Sequence, residues 1–214
     1  LDDINVKGSL RRGLRRWQKP LLTLPAALPL MALKLGTPTV TLPILGSIDV
    51  GILYPLLLVP IGVVGAANMV NLLGGLNGLE AGMALIYLSS LSLFAYFHSN
   101  LPAKIIAFGA LGAVAGFFLH NKFPARFLPG DSLTYFLGAV LANMAIVGNI
   151  EKATLIASTP FFIEFLLKMR AGLREPTVGY CKNGKIYRRS RGIYSLPHFW
   201  MDGKHTDSEV VMRV

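Results

Sequence analysis

The chain has 214 residues, 53% of them hydrophobic and 15% charged, with a mean hydropathy of +0.53. A soluble domain carries about a quarter charged residues, so a water-soluble globule and a disordered chain are both excluded. Twenty-one Lys and Arg against eleven Asp and Glu leave +10, and one cysteine, Cys181, rules out an internal disulfide scaffold.

The chain opens Leu1-Asp2-Asp3 rather than with Met, has no apolar signal segment ahead of the acids, and is read as cut from a longer protein. Six apolar runs follow, at residues 20–35, 50–73, 79–97, 105–119, 133–150 and 153–167. Several are shorter than the ~20 residues of a spanning helix and must draw in flanking residues. Too little polar sequence remains to coat a globule, so the expected class is an all-α polytopic membrane protein with about six transmembrane helices. Pro25, Pro29, Pro55, Pro60 and Pro160 fall inside the runs and predict kinks, since a proline frees a carbonyl that a neighbouring helix must satisfy. Between the first two runs, residues 37–49 read TPTVTLPILGSID, which predicts a small outer β-hairpin. From Lys168 the composition turns polar and basic. An Asn183-Gly184 turn predicts a second hairpin within a cytoplasmic tail, the rest of which is expected to be disordered. The division is thus a transmembrane region at 1–167 and a tail at 168–214.

Lys and Arg are retained on the cytoplasmic side of a membrane. If the start is cytoplasmic, eighteen of the twenty-one cations share that side, and only Lys34, Lys104 and Lys152 lie opposite. An even number of spans then returns the tail to the cytoplasm.

Acids and amides near a membrane are costly and mark cavities or sites. Asp2 and Asp3 precede the first run. Asn68, Asn71, Asn77 and Glu80 surround the second junction, and Asp131 lies between the fourth and fifth runs. All reach the face that the cations alone had already selected. Carboxylates, amides and cations together suit a Mg²⁺-dependent phosphate site, because Mg²⁺ takes hard oxygen ligands and bridges to substrate phosphates. Taken singly, Asp131 reads more readily as a solvated helix cap, and Asn68 and Asn71, at i and i+3 on one face of a helix end, as caps or as bonds to a neighbouring helix. The glycine-rich stretch at 71–82 permits close backbone approach to a ligand, but is neither a P-loop nor a dinucleotide fingerprint.

Three stretches carry a resemblance. NMVNLLGGLNGLEAG at 68–82, FPARFLPGDS at 123–132, and LDD at the start with RWQKPLL at 16–22 resemble, in order, the signatures of the polyprenyl-phosphate N-acetylhexosamine-1-phosphate transferases. The form is that of the eukaryotic and archaeal branch that uses UDP-N-acetylglucosamine and dolichyl phosphate. The resemblance implies about ten helices in the family, of which this chain holds the later ones. It also implies transfer of a sugar 1-phosphate from a UDP-sugar to dolichyl or another polyprenyl phosphate with release of UMP, the first step of lipid-linked oligosaccharide assembly.

Carried over by position, Asn71 and Asp131 would be the Mg²⁺ ligands, and Asn77 with Gly75 would contact the uracil. Asn68 and Glu80 belong to the same substrate-binding loop. Asp2 and Asp3 would be the paired catalytic acids. Lys19 would meet the pyrophosphate, with Lys7, Arg15 and Arg16 as competitors, and Arg174 in the tail would contact the sugar. The histidine-rich motif of the bacterial branch is absent, and His198 stands alone. Glu164 resembles an acid of bacterial relatives, or packs against a neighbouring helix. The expected partners are a UDP-sugar, a polyprenyl phosphate and the membrane, with no nucleic acid; a homodimer stays open. A different class, a transporter that uses the same polar groups for an ion or solute, remains the alternative, though no internal repeat supports it.

Overall fold

The computed structural model describes residues 6–7, 10–11, 17–42 and 46–214. Asp2, Asp3, Arg15 and Arg16 lie outside the described residues, and of Lys7 only its place in a strand is given. The elements run in chain order as β1 (Val6–Lys7), β2 (Leu10–Arg11), α1 (Gln18–Thr23), α2 (Leu28–Ala32), β3 (Thr39–Leu42) and β4 (Gly46–Asp49). There follow α3 (Val59–Leu72), α4 (Leu79–Phe97), α5 (Leu101–Asn121), α6 (Gly130–Gly148), α7 (Glu151–Ala157), α8 (Thr159–Arg170), β5 (Tyr180–Lys182), β6 (Lys185–Tyr187) and α9 (Asp207–Arg213).

Four helices among the described residues, at Tyr54–Leu72, Leu79–Phe97, Leu101–Asn121 and Gly130–Gly148, are long and apolar enough to cross a membrane. The first of these opens as a π-turn over Tyr54–Leu58, which carries Pro55. The first and last predicted runs are broken. Pro25 and Pro29 each start a new short helical segment, so the first run becomes α1, a 3₁₀ turn at Leu24–Ala27 and α2. Pro160 opens α8 after a break at Ser158 that separates it from α7. A proline removes a ladder donor and is tolerated in the first turn, which is where these prolines sit.

α3 packs along α6, and α4 along α5. The α4–α5 seam shows why. Ala103, Ala107, Ala110 and Val114 recur at helical spacing and are all buried against a cluster that includes Ala84, Leu88, Leu91 and Ala95. Small residues let membrane helices approach closely where lipid offers no hydrophobic drive. Leu33, Ile61, Ile86, Phe97, Ile105 and Leu119 face outward. An apolar coat of that kind belongs in hydrocarbon, and the protein is an integral membrane protein.

The hairpin between the first two runs forms as predicted: β3 and β4 pair antiparallel with Val40 opposite Ile48. It lies at the end of the bundle where the Tyr54 hydroxyl donates to Glu151 Oε1 at 3.1 Å and Asn100 Nδ2 donates to the Gly148 carbonyl at 2.6 Å. Lys34, Lys104 and Lys152 belong to the same end. The opposite end gathers the C-termini of α3, α5 and α8 and the N-termini of α4 and α6.

The tail is more ordered than expected. β5 and β6 form the predicted hairpin, with Asn183 (φ 52°) and Gly184 (φ 74°) both in the left-handed region that a two-residue turn of this type requires. Beyond it the chain folds over buried Pro197, His198, Met201 and Val210. α9 then begins on a capping box in which Thr206 and Glu209 bond each other's backbone N–H. Sequence composition suggested disorder there because its apolar residues are few. Met201 and Val210 join the same buried cluster as Leu76, Phe161 and Ile186, which composition does not reveal. The division expected at 167/168 falls inside α8.

Candidate active site

The site residues assemble at the end of the bundle where α3 stops and α6 starts. α3 ends at Leu72, and the glycine-rich loop at 73–78 turns the chain into α4. Gly75 (φ 101°) and Gly78 (φ 80°) adopt conformations that L side chains rarely reach. Glu80, in the first turn of α4, reaches back so that its Oε1 accepts the Gly75 N–H at 2.6 Å. That bond fixes the loop from inside. Glu80 is buried, and its Oε2 has no hydrogen-bond partner among the described residues.

Asn71 sits in the last turn of α3, facing α6. Its Oδ1 accepts from the Thr134 hydroxyl at 2.5 Å and its Nδ2 donates to the Tyr135 hydroxyl at 3.2 Å. The Thr134 hydroxyl also lies 3.0 Å from the Asp131 carbonyl. Asp131, in the first turn of α6, takes Lys19 Nζ on its Oδ2 at 2.8 Å. Lys19 belongs to α1, so three elements meet at one point. Of the cations weighed for the pyrophosphate, Lys19 is the one whose side chain lies among the described residues, and it reaches Asp131.

Asn68 lies one turn back on α3. Its Nδ2 donates to the Thr23 hydroxyl at 3.1 Å and to the Val64 carbonyl at 2.8 Å, so Asn68 ties α3 to α1. Asn77 donates from Nδ2 to Asp207 Oδ2 at 2.6 Å, a bond between the loop and the first residue of α9. Arg174 is exposed on the segment between α8 and β5, and that segment reaches the same loop: a Cβ on Gly75 would stand 2.7 Å from Val178 Cγ1.

Sequence reasoning singled out Asn68, Asn71, Gly75, Asn77, Glu80 and Asp131, and all of them line this end. It missed Thr134, Tyr135 and Asp207. Thr134 carried a usable signal, since it falls three residues after Asp131 on the same helix face. Asp207 carried half of one: the capping box Thr206-x-x-Glu209 locates α9, but not what α9 touches.

A family model, that of glycosyl transferase family 4, matches residues 1–149. The chain belongs to this family. A relative in Saccharolobus solfataricus, provisionally named UDP-N-acetylglucosamine–dolichyl-phosphate N-acetylglucosaminephosphotransferase, is 33% identical over 99% of this chain and 65% of its own length. A Sulfolobus acidocaldarius protein with the same provisional name is 30% identical over 99% of this chain and 63% of its own. A phospho-N-acetylmuramoyl-pentapeptide-transferase of Bacillus licheniformis is 36% identical over 56% of the chain and 37% of its own. The chain therefore spans just under two thirds of the length of the two archaeal relatives.

The donor set expected to hold Mg²⁺ is chemically suited to a divalent cation. Asn71 and Asp131 offer an amide oxygen and a carboxylate, both hard donors, from two helix ends held together by Thr134. No group of three or more His, Cys, Asp or Glu that could hold a metal occurs among the described residues. A small protein ligand set suits Mg²⁺, which keeps water and takes further oxygens from substrate phosphates.

The lone His198 has a structural place. Its Nδ1 accepts the Tyr194 N–H at 3.3 Å, and its Nε2 lies 3.1 Å from the Pro176 carbonyl. Only the neutral ring protonated on Nε2 serves both partners. Burial, and Lys168 nearby, push its pKa down. A histidine so depressed contributes its full stability above the ordinary value of ~6.5 and loses it as pH falls, because the unfolded chain takes up the proton first. Protection of the amides at 194–200, corrected for the intrinsic pH dependence of exchange, is expected to fall below that pH, and His198→Gln is expected to remove the pH-dependent part. Protection that stays flat from neutral pH to pH ~5, once corrected for the intrinsic pH dependence of exchange, would contradict this reading of the ring.

Proposed function

We propose that the protein transfers N-acetylglucosamine 1-phosphate from its UDP-sugar to dolichyl or a related polyprenyl phosphate, releasing UMP, at the cytoplasmic face of a membrane. The observation that carries the reading is the Lys19–Asp131–Thr134–Asn71 constellation at one end of an apolar bundle. It couples a cation, a carboxylate and an amide where lipid and water meet, in a chain of a family whose named relatives are sugar-phosphate transferases. The cytoplasmic assignment rests on the eighteen cations that the topology puts on that side. A transporter would gather its polar groups near the bilayer midplane, whereas these lie at helix ends.

In this reading a phosphate oxygen of the lipid attacks the β-phosphorus of the UDP-sugar. The bond from that phosphorus to the bridging oxygen breaks, and UMP leaves with the electron pair. Phosphoryl transfer asks the protein mainly for alignment and charge neutralisation. Gly75 and Asn77 receive the uracil on the loop that Glu80 braces. Lys19, released from Asp131, neutralises the pyrophosphate, and Arg174 faces the sugar. Asn71 and Asp131 would hold Mg²⁺, which supplies Lewis-acid stabilisation of the leaving phosphate. Asp2 and Asp3 are assigned beside the acceptor phosphate. That group has its second pKa near ~6 and is largely a dianion at neutral pH, so a base is not obligatory.

The test is UMP release from UDP-N-acetylglucosamine and polyprenyl phosphate, with the full-length protein in membranes. Release that stops with a chelator and returns with Mg²⁺ is the expected result. No metal-dependent release with any UDP-sugar sinks the proposal.

A further inference from the structure

We infer that Lys168 and Thr177 are positioning residues, which clamp the segment at 171–178 onto the end of α3 and thereby set the loop that carries Gly75 and Asn77. The role rests on the proposed function for what that loop binds. The clamp itself rests on geometry.

Lys168 lies in the last turn of α8 and is only 5% exposed. An ammonium so buried persists only if its donors are met. They are: Nζ donates to the Glu175 carbonyl at 2.8 Å and to Thr177 Oγ1 at 2.8 Å, and stands 3.7 Å from Glu164 Oε1. An ammonium has no acceptor capacity, so Thr177 Oγ1 must accept from it, and the threonine proton is directed elsewhere. It goes to the Leu72 carbonyl at 3.0 Å. Leu72 is the last residue of α3 and follows Asn71 directly. Its carbonyl is one of the groups a helix C-terminus leaves unsatisfied, where positive charge is favoured. Lys168 thus caps α3 through Thr177.

The next residue in the chain, Val178, packs over Gly75. On its other side the ion pair holds a second part of the tail, because Glu164 accepts from the Ser195 hydroxyl at 2.6 Å and from the Leu196 N–H at 2.7 Å. One buried pair therefore joins α8, the Arg174 segment, the fold around His198 and the end of α3. Loosening Thr177 frees the Arg174 segment and the Leu72 end of α3 together, on both sides of a nucleotide-sugar bound at the loop.

The experiment compares Thr177→Val, which keeps the shape and removes the hydroxyl, with Thr177→Ser, which restores it. Both are made in the full-length protein in membranes. Thr177→Val is expected to raise KM for UDP-N-acetylglucosamine about tenfold with a smaller change in kcat, and Thr177→Ser to stay within about twofold of the parent. Hydrogen exchange is expected to speed up in 171–178 and 73–78 together in the Val variant. Unchanged KM, or faster exchange confined to 171–178, overturns the inference. If the parent protein releases no UMP, the proposed function fails separately, and exchange alone decides the clamp: joint loosening supports it and independent loosening overturns it.

Discussion

Asp131→Asn is expected to lower metal-dependent UMP release by at least about a hundredfold, as loss of a charge aimed at a reacting phosphate does. The substitution keeps the shape of the side chain. It removes the negative charge that would hold Mg²⁺, and with it the partner of Lys19 in the present 2.8 Å pair. That pair is partly open to solvent, with 26% and 37% side-chain exposure, so its loss costs the fold little, on the order of 1 kcal/mol or less. Activity and stability should therefore separate: a melting temperature near that of the parent, with a rate near background. A magnesium titration of UDP binding gives the second arm, in which the variant should need far more metal for the same occupancy. A variant with close to parental rate and metal dependence would remove Asp131 from the site, and the assignment of Asn71 as its co-ligand would go with it.

The bundle was legible because apolar runs, prolines and glycines act locally. The runs at 50–73, 79–97, 105–119 and 133–150 correspond to the long helices Tyr54–Leu72, Leu79–Phe97, Leu101–Asn121 and Gly130–Gly148, and the breaks in the other two runs fall at Pro25, Pro29 and Pro160. The shared end of the candidate site was legible for a less local reason. Counting cations fixes which connections share a face, and that alone brought Asn71, Asn77 and Asp131 to one end. What failed to show was contact across long separations. Asp207 meets Asn77, and Thr177 meets Leu72, only because the tail folds back onto the glycine-rich loop and the end of α3. No periodicity announces a fold built from a few buried residues such as Met201 and Val210. Glu164 illustrates the difference: the sequence left it between a site acid and a packing acid, and its carboxylate serves Ser195 and Leu196 of the tail.

Gly138→Ala should be the most damaging small substitution in the bundle, and it acts at a distance from every proposed ligand. Gly138 lies midway along α6, buried against α3. A Cβ there would collide with the backbone of Ala66 and Ala67, with no flexible side chain to give way. Four residues separate Ala67 from Asn71 on α3, and four separate Thr134 from Gly138 on α6. On antiparallel helices this puts the Gly138 contact one turn below the Thr134–Asn71 bond. Pushing the helices apart there stretches that bond and moves Asn71 away from Asp131. Overpacking costs about 1–3 kcal/mol, and displacement of a positioned ligand by an ångström costs about a hundredfold in rate. A lower melting temperature and a loss of UMP release of one to two orders of magnitude are thus expected together. Gly112→Ala on α5 is the control, because nothing described lies within 4 Å of a Cβ there and alanine favours the helix. It should leave the rate unchanged and melt no lower than the parent. Were Gly138→Ala to behave like Gly112→Ala, the seam between α3 and α6 could not be what holds Asn71 and Asp131 in register.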